Sequence, residues 1–364
     1  MTDHPVRFRP DILSLGVYRQ GKPPVPGGIK LSSNELPFET LPAVREALNE
    51  GHWHRYPDAT ATELRELLAP RFGVGPDEIL VGAGSVALLA QWITAAAGPG
   101  DEVVYAWRSF EAYPGLVQVA GATSRRVPNT VDHRHDIPAM VEAITDNTRV
   151  VLVCSPNNPT STVVTSAEFE YLMERVPSDR LVILDEAYAE FVDHPDAVDG
   201  SRYIGRYPNL VVLRTLSKAY GLAGFRVGYA VAPPHLIAPA MATAIPLSVS
   251  APAQVAAVAA LSHPDQVEER VATIRSRIAR VREALGTLSS GIPIPYGNFV
   301  WLPTGDDTET VSQWFEEERV VARVFPGEGL RVSIAEEEGV DALLRIIDRV
   351  VHELPARAGA TRLG

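Results

Sequence analysis

The sequence is poor in cysteine and has no long apolar run. Its single cysteine, Cys154, excludes an internal disulfide and any metal site built from several cysteines. No apolar run approaches the roughly 20 residues that a membrane-spanning helix needs. Residues 1–10 are polar and lack the apolar core of a signal peptide. We therefore expect a cytoplasmic protein that has no membrane partner.

Positive charge is also scarce. The chain has 33 lysines and arginines against 45 aspartates and glutamates, which gives a formal net charge of −12. A dedicated nucleic-acid binder needs a basic surface for phosphate contacts, so we expect no nucleic-acid partner. The length of 364 residues allows two domains, each with its own core.

Lysine is the rarest of the common charged residues here. Only Lys22, Lys30 and Lys218 are lysines, and the other thirty basic residues are arginines. Arginine supplies charge and phosphate contacts, often better than lysine does. Its guanidinium stays protonated, however, and cannot form an imine with an aldehyde, whereas a primary amine that loses its proton can. Lys218, in "TLSKAYGLAGFRVGY", therefore raises the question of whether the chain builds a site for an aldehyde.

The order of apolar and amphipathic stretches predicts an α/β fold. From about Leu41, short apolar runs such as "VVLVCSP" and "RLVILDEAY" alternate with stretches of helical period, which indicates a mostly parallel sheet. After about Pro246, long helical stretches and short strand candidates indicate a smaller α+β unit. We predict an N-terminal arm (1–35) that packs with the small domain, a large domain (36–245) and a small C-terminal domain (246–364).

Four features follow predicted strands of the large domain, where open α/β sheets place their ligand sites. Asp185 comes directly after a buried strand and needs a partner there, and Tyr188 follows three residues later. The turn "SPNNPTS" (155–161) offers amide side chains, and the loop "GAGS" (82–85) lets backbone N–H groups approach a phosphate. Each feature alone also fits an ordinary turn or helix cap. Together with Lys218 they are the groups that pyridoxal phosphate needs.

The motifs that carry these residues resemble those of a known family. "SPNNPTS" is similar to its Asn-Pro-Thr-Gly turn, "LDEAYAEF" to its Asp-Glu-Ala-Tyr segment, and "TLSKAYGLAGFRVGY" to its lysine segment. The chain resembles fold-type I pyridoxal-phosphate enzymes of the class I/II aminotransferases, within the histidinol-phosphate aminotransferase group. The similarity extends from "LSSNE" to "GLRVSIA". It implies a pyridoxal 5′-phosphate-dependent aminotransferase with a large, mixed, mostly parallel sheet domain and a smaller α+β domain.

The resemblance also implies roles for individual residues. Lys218 matches the lysine that holds the aldehyde and moves the substrate proton, and Asp185 matches the partner of the pyridine nitrogen. Tyr56 resembles a tyrosine that reaches the phosphate of the partner subunit, which implies a homodimer with shared sites. The other matches are Tyr188 and Asn158 on the ring oxygen, Ser217, Arg226, Gly84 and Ser85 on the phosphate, Phe110 stacked on the ring, Arg331 on the substrate carboxylate, and Asn34 and Tyr18 in the substrate pocket.

Departures from the family pattern bear on the substrate. Ser161 replaces the usual glycine of the turn, Phe110 replaces a common tyrosine, and "GAGSV" lacks an acidic residue. These departures resemble the actinobacterial aromatic, or phenylalanine, aminotransferases, so we predict transamination between an aromatic amino acid and 2-oxoglutarate. Arg323 is able to serve a phosphate-bearing substrate, which keeps histidinol-phosphate transamination as the alternative.

Other functions are less well supported by the sequence. Related folds also support decarboxylases and lyases, and the sequence alone does not separate these from aminotransferases. A pyridoxal-phosphate-binding regulator would need a DNA-binding domain, for which the chain has no room. The alternating histidines of "HWH" (52–54) and "HRH" (133–135) have no third clustered ligand, so we expect no metal site.

Overall fold

The computed structural model of the chain describes residues 6–16, 23–288 and 291–354. Tyr18 lies outside these residues. The strands are β1 (Ile29–Lys30), β2 (Ile79–Gly82), β3 (Glu102–Trp107), β4 (Thr123–Pro128), β5 (Thr148–Cys154), β6 (Leu181–Asp185), β7 (Leu210–Thr215), β8 (Gly228–Val231), β9 (Phe299–Leu302), β10 (Val320–Val321), β11 (Arg323–Phe325) and β12 (Gly329–Ser333). The helices are α1 (Pro10–Leu13), α2 (Pro42–Asn49), α3 (Thr62–Phe72), α4 (Ser85–Ala96), α5 (Tyr113–Ala120), α6 (Ile137–Glu142), α7 (Ser166–Met173), α8 (Pro234–Ala242), α9 (Ala251–Ser262), α10 (Pro264–Gly286), α11 (Thr308–Glu317) and α12 (Glu337–Glu353).

Strands β2 to β8 form one mixed sheet in the order β2-β8-β7-β6-β5-β3-β4. Strand β8 is antiparallel to both β2 and β7, and all other neighbouring strands in this sheet are parallel. The predicted α/β fold with a large, mostly parallel sheet is therefore confirmed.

Helices cover both faces of this sheet. Apolar side chains of α4, α5 and α8 pack on one face, and those of α6 and α7 pack on the other. Strands β5 and β6 are consequently buried along almost their whole length. A strand covered on both faces is apolar at every position rather than at alternate positions, which explains the continuous runs "VVLVC" and "LVIL".

One strand of the sheet, β4, is not predicted by the apolar pattern. It is the outer strand next to β3, and most of its side chains in "TSRRVP" are exposed or only partly covered. An edge strand can carry polar and charged side chains, which also discourage pairing with another chain. Its sequence therefore has no apolar run.

The C-terminal part contains a three-stranded antiparallel sheet in the order β11-β12-β9. Strand β1 pairs in parallel with β10, and the backbone N–H of Ser333 donates to the carbonyl of Leu31 at 2.8 Å. The segment around β1 therefore lies on this part of the molecule. Helix α9 contacts α2 and α3 as well as α10, so the domain limits at 35 and 245 stay a prediction.

The carboxyl ends of three central strands meet at one edge of the large sheet. Strands β5, β6 and β7 end at Cys154, Asp185 and Thr215, and Cys154 is the register partner of Asp185. Open α/β sheets bind their ligands at this edge. Within the described ranges, no helix is both long and apolar enough to cross a membrane.

Candidate active site

A cavity of about 670 Å³ opens at this edge of the large sheet. It lies between the ends of the central strands and strands β11 and β12 of the C-terminal part. Most of the side chains that the sequence singles out line it. They are Ser85, Phe110, Asn158, Asp185, Tyr188, Ser217, Lys218, Arg226, Arg323 and Arg331.

Asp185, the last residue of β6, is a buried carboxylate that is only half satisfied. The Tyr113 hydroxyl donates to its Oδ2 at 2.9 Å, whereas Oδ1 is buried with no hydrogen-bond partner among the residues described. Burial raises the pKa of Asp185 to about 6, and the hydrogen bond from Tyr113 opposes this rise. A buried polar atom without a partner is costly. The vacant Oδ1 therefore suits an N–H donor from a group bound in the cavity.

Lys218 follows β7 and lies on the floor of the cavity. Its Nζ donates to the carbonyl of Ser33 at 2.9 Å and lies 5.7 Å from the ring centroid of Tyr188. Burial, followed by the positive charge of Arg331, lowers the pKa of Lys218 to about 7. A lysine whose pKa is near neutrality has a large unprotonated fraction, which is the nucleophilic and basic form.

The start of α4 forms a cradle for an anion. Gly84 precedes the helix with a φ of +84°, and a Cβ at this position would lie 2.5 Å from Nη2 of Arg226. A Cβ on Gly228 would lie 2.6 Å from the backbone nitrogen of Ser85. The two glycines therefore allow Arg226 and the first N–H groups of α4 to approach each other. Nη1 of Arg226 also donates to the Ser217 hydroxyl at 3.3 Å. A helix N-terminus beside an arginine favours a phosphate.

Arg331 of β12 is held by two neutral acceptors. Its Nη1 donates to Oδ1 of Asn158 at 2.7 Å, and its Nη2 donates to the carbonyl of Ser32 at 2.6 Å. Neither acceptor cancels its charge. A planar guanidinium held in this way suits bidentate binding of a carboxylate.

Asn34 is buried behind the cavity and does not itself line it. Its Nδ2 donates to the Tyr188 hydroxyl at 3.0 Å, and its Oδ1 accepts from the Ser333 hydroxyl at 3.1 Å. The structure therefore places Asn34 where it orients Tyr188.

The outer end of the cavity is largely apolar. Phe110 lies edge-on to Tyr113 with ring centroids 5.5 Å apart. The other apolar side chains at this end are Leu15, Pro114, Leu116 and Val119. Arg323 also lines this region, and its Nη2 donates to both carboxylate oxygens of Glu111 at 2.8 Å.

Tyr56 is not brought to the cavity of its own chain. Its side chain is 86% exposed, and it lies before α3, apart from the residues that line the cavity. A role for Tyr56 in the site requires a second copy of the chain.

Tyr113 and Glu111 are missing from the sequence-based prediction of the site. Tyr113 bonds Asp185 across 72 residues of sequence, and Glu111 bonds Arg323 across 212 residues. Both lie close to Phe110 in the segment "WRSFEAYPG" (107–115). The only signal in the sequence is this proximity, because the partners depend on how β3, β6 and β11 are arranged in space.

Comparison with known proteins identifies the family. Residues 26–347 match the family described as aminotransferase class I and II, so the chain belongs to that family. It is 45% identical over 359 residues to an aromatic amino acid aminotransferase of Streptomyces avermitilis, covering 97% of this chain and 100% of that one. It is 46% identical over 343 residues to one of Mycobacteroides abscessus, covering 94% and 98%.

Solved structures show the same fold. The histidinol-phosphate aminotransferase of Sinorhizobium meliloti, in complex with pyridoxal 5′-phosphate, has a TM-score of 0.84 at 24% identity and covers 98% of this chain and 100% of that one. The aromatic aminotransferase of Pyrococcus horikoshii has a TM-score of 0.76 at 26% identity, covering 90% and 96%.

The prediction of an aminotransferase is thus confirmed, and since this family depends on pyridoxal 5′-phosphate, so is the predicted cofactor. The residues present fit this cofactor: the vacant Oδ1 of Asp185 suits a protonated ring nitrogen, and the cradle at Gly84 suits a phosphate. The individual roles of the residues stay predictions.

Proposed function

We propose that this protein transfers the amino group between an aromatic L-amino acid, phenylalanine or tyrosine, and 2-oxoglutarate. The observation that carries the proposal is the composition of the cavity, which has Arg331 on one side and an apolar end formed by Phe110, Leu116 and Val119. A guanidinium next to an apolar end suits a substrate with a carboxylate and an uncharged ring. The relatives named aromatic amino acid aminotransferase, 44–46% identical over nearly the whole chain, support the same substrate class.

The bound cofactor supplies an aldehyde carbon and a ring that accepts electrons. Around it, Asp185 holds the proton of the ring nitrogen, and Tyr188 and Asn158 donate to the ring oxygen. Arg226, Ser217 and the N-terminus of α4 hold the phosphate, with Phe110 against the ring.

Two residues act on the substrate in this proposal. Arg331 holds the substrate carboxylate, which fixes the orientation of Cα. The unprotonated Nζ of Lys218 removes the Cα proton and keeps it for return, as a general base whose pKa is near the working pH.

We propose that the enzyme works as a homodimer. The exposed side chains of Trp53, Tyr56 and Ile245 include large apolar groups. The segments that carry them lie side by side, because Nε2 of Gln254 donates to the carbonyls of both Asp58 and Val249. In this proposal a second copy docks on this surface and contributes its Tyr56 to the phosphate cradle. The cytoplasmic location also stays a prediction.

Histidinol-phosphate transamination is the second candidate, because Arg323 supplies a cation at the outer end of the cavity. A substrate panel separates the two. The kcat/KM values of phenylalanine, tyrosine, histidinol phosphate and aspartate are compared with 2-oxoglutarate as acceptor. We expect the two aromatic substrates to be preferred. A preference for histidinol phosphate would replace the proposal by the alternative.

A further inference from the structure

Glu111 and Arg323 form an ion pair that lines the outer end of the cavity. Nη2 of Arg323 donates to both Oε1 and Oε2 of Glu111 at 2.8 Å. Both side chains line the cavity, and both are largely buried, with 18% and 20% of their surface exposed. An ion pair that is largely shielded from water interacts more strongly than one on an open surface.

Arg323 is also a direct neighbour of Arg331. The two residues are register partners across the antiparallel strands β11 and β12. Directly opposed residues project their side chains on the same face of a sheet, so the two guanidinium groups are adjacent. The acceptors described above for Arg331 are an amide oxygen and a backbone carbonyl, whereas Arg323 pairs with the carboxylate of Glu111.

We propose that Glu111 determines which substrate side chains the cavity accepts. While Glu111 occupies Arg323, the carboxylate balances the charge of this guanidinium, and the outer end of the cavity fits an apolar ring. A substrate with a second carboxylate or a phosphate must displace Glu111 to reach Arg323. This inference rests on the proposed transamination of aromatic amino acids.

The pair acts differently on the two halves of the proposed reaction. An aromatic amino acid leaves Glu111 on Arg323. A dicarboxylic acceptor places a second anion beside the pair, and that anion competes with Glu111 for the same guanidinium donors. Separating a shielded ion pair leaves a carboxylate without its partner, which is costly. Glu111 therefore weakens the binding of anionic side chains selectively.

Two unreactive probes test this directly. Glutarate and 3-phenylpropionate each have one carboxylate for Arg331, and they differ at the other end, which is a carboxylate in one and a phenyl ring in the other. Their dissociation constants are measured by calorimetry on the intact holoenzyme. The readout is the ratio of the two constants in each variant, so that a general loss of affinity cancels.

We expect Glu111→Gln to shift this ratio in favour of glutarate by about tenfold, or about 1.4 kcal/mol. The double variant Glu111→Gln with Arg323→Gln should lose this gain, because the gain depends on the released guanidinium. Glu111→Asp, whose shorter side chain cannot reach as far, should shift the ratio in the same direction by less. It also serves if Glu111→Gln does not fold.

Glu328→Gln is the matched control. Glu328 pairs with Arg108 near the same edge of the molecule, and neither residue lines the cavity. In Glu328→Gln the ratio of the two dissociation constants should stay within about twofold of the wild-type ratio, whereas about a tenfold shift is expected in Glu111→Gln.

The inference is overturned if both probes bind to Glu111→Gln with the wild-type ratio, or if the double variant keeps the gain. The proposed function is judged separately, from the wild-type substrate panel alone. A wild type that prefers histidinol phosphate refutes the proposed function whatever the probe ratios are.

Discussion

The hydroxyl of Tyr113 donates a hydrogen bond of 2.9 Å to Oδ2 of Asp185, at the carboxyl end of the central strand β6. Tyr113 is fully buried, and burial, followed by the charge of Asp185, raises the pKa of its hydroxyl well above the usual range. The phenol therefore stays protonated and keeps its O–H to donate to Asp185. It stabilises the ionised form of Asp185 and leaves Oδ1 for the cofactor, which makes Tyr113 a positioning residue.

Removing this donor should weaken catalysis without removing the carboxylate. A hydrogen bond to a charged group contributes about 1.5–3 kcal/mol, so we expect Tyr113→Phe to lower kcat by about tenfold to a hundredfold. The pH at which the absorbance of the bound cofactor changes should also shift, because Asp185 loses the hydrogen bond that stabilises its ionised form. Both are measured on purified holoenzyme.

Tyr105→Phe is the matched control for this variant. The two tyrosine rings lie edge-on with centroids 5.6 Å apart, and the Tyr105 hydroxyl does not bond to Asp185. Equal losses in the two variants, with no spectral change in Tyr113→Phe, would mean that Tyr113 only fills space.

Replacing Asp185 should separate activity from stability. Asp185→Asn removes the anion that holds the ring proton, so we expect the rate of Cα proton removal to fall at least about a hundredfold. Because the pKa of Asp185 is raised to about 6 in the folded chain, its stabilising contribution is present at low pH and is lost as the pH rises through 6. At pH 8 the neutral asparagine should therefore make the apoenzyme more stable, by an amount on the order of 1–3 kcal/mol.

Single-turnover absorbance measurements give the rate, and urea unfolding of the apoenzyme gives the stability. A near-normal rate of Cα proton removal in Asp185→Asn would show that another group holds the proton of the cofactor's ring nitrogen. If the Asp185→Asn apoenzyme is less stable than the wild type at pH 8, the conclusion that one oxygen of this buried carboxylate lacks a hydrogen-bond partner among the described residues is contradicted.

Lys218 should be the residue that carries the cofactor. Borohydride treatment of the holoenzyme should fix the cofactor to Lys218, as read by peptide mass spectrometry. Lys218→Arg keeps a positive charge but cannot form the bond, so transamination should fall below detection. Lys30→Arg is the matched control, since Lys30 pairs with Glu35 at 2.7 Å and does not line the cavity. Recovery of the reduced cofactor on Lys30 would end this assignment.

Much of the fold and of the cavity wall follows from local sequence patterns. Asp185 directly follows an apolar run and Lys218 lies shortly after another, and parallel strands end at one edge of a sheet, so their proximity is predictable. The pairs Tyr113–Asp185 and Glu111–Arg323 are not predictable in this way. They join elements that are far apart in sequence, and their contacts depend on where helices and strands pack. Strand β4 is missed for a different reason, because an exposed edge needs no apolar run.

Tyr56 tests the proposed dimer. If it completes the phosphate cradle of a partner subunit, Tyr56→Phe should weaken cofactor binding by about tenfold, the effect of one lost hydrogen bond to a charged group. The variant should remain a dimer by analytical ultracentrifugation, because only a hydroxyl is removed. Tyr171→Phe, another partly exposed tyrosine, is the control. A wild-type monomer with full activity would contradict the shared site.

The lowered pKa of Lys218 should be visible in the apoenzyme. At a pKa of about 7, roughly half of the Nζ groups are unprotonated at pH 7. The rate at which the apoenzyme captures added pyridoxal 5′-phosphate, followed by stopped-flow absorbance, should therefore rise with pH and level off above about 7.

The lowered pKa of Lys218 also predicts how the stability of the apoenzyme depends on pH. Between pH 7 and the ordinary lysine pKa of 10.5 the unfolded chain binds the extra proton, so the free energy of unfolding should increase with pH across this window.

Two variants separate the causes of this shift. Lys218→Met should flatten the rise in stability, because the titrating group is gone. Arg331→Gln removes a positive charge that disfavours the protonated amine, so the midpoint of cofactor capture should move to higher pH. A wild-type midpoint near that of an ordinary lysine would show that burial does not set the reactivity of Lys218. An unmoved midpoint in Arg331→Gln would show that the charge of Arg331 does not contribute to the lowered pKa of Lys218.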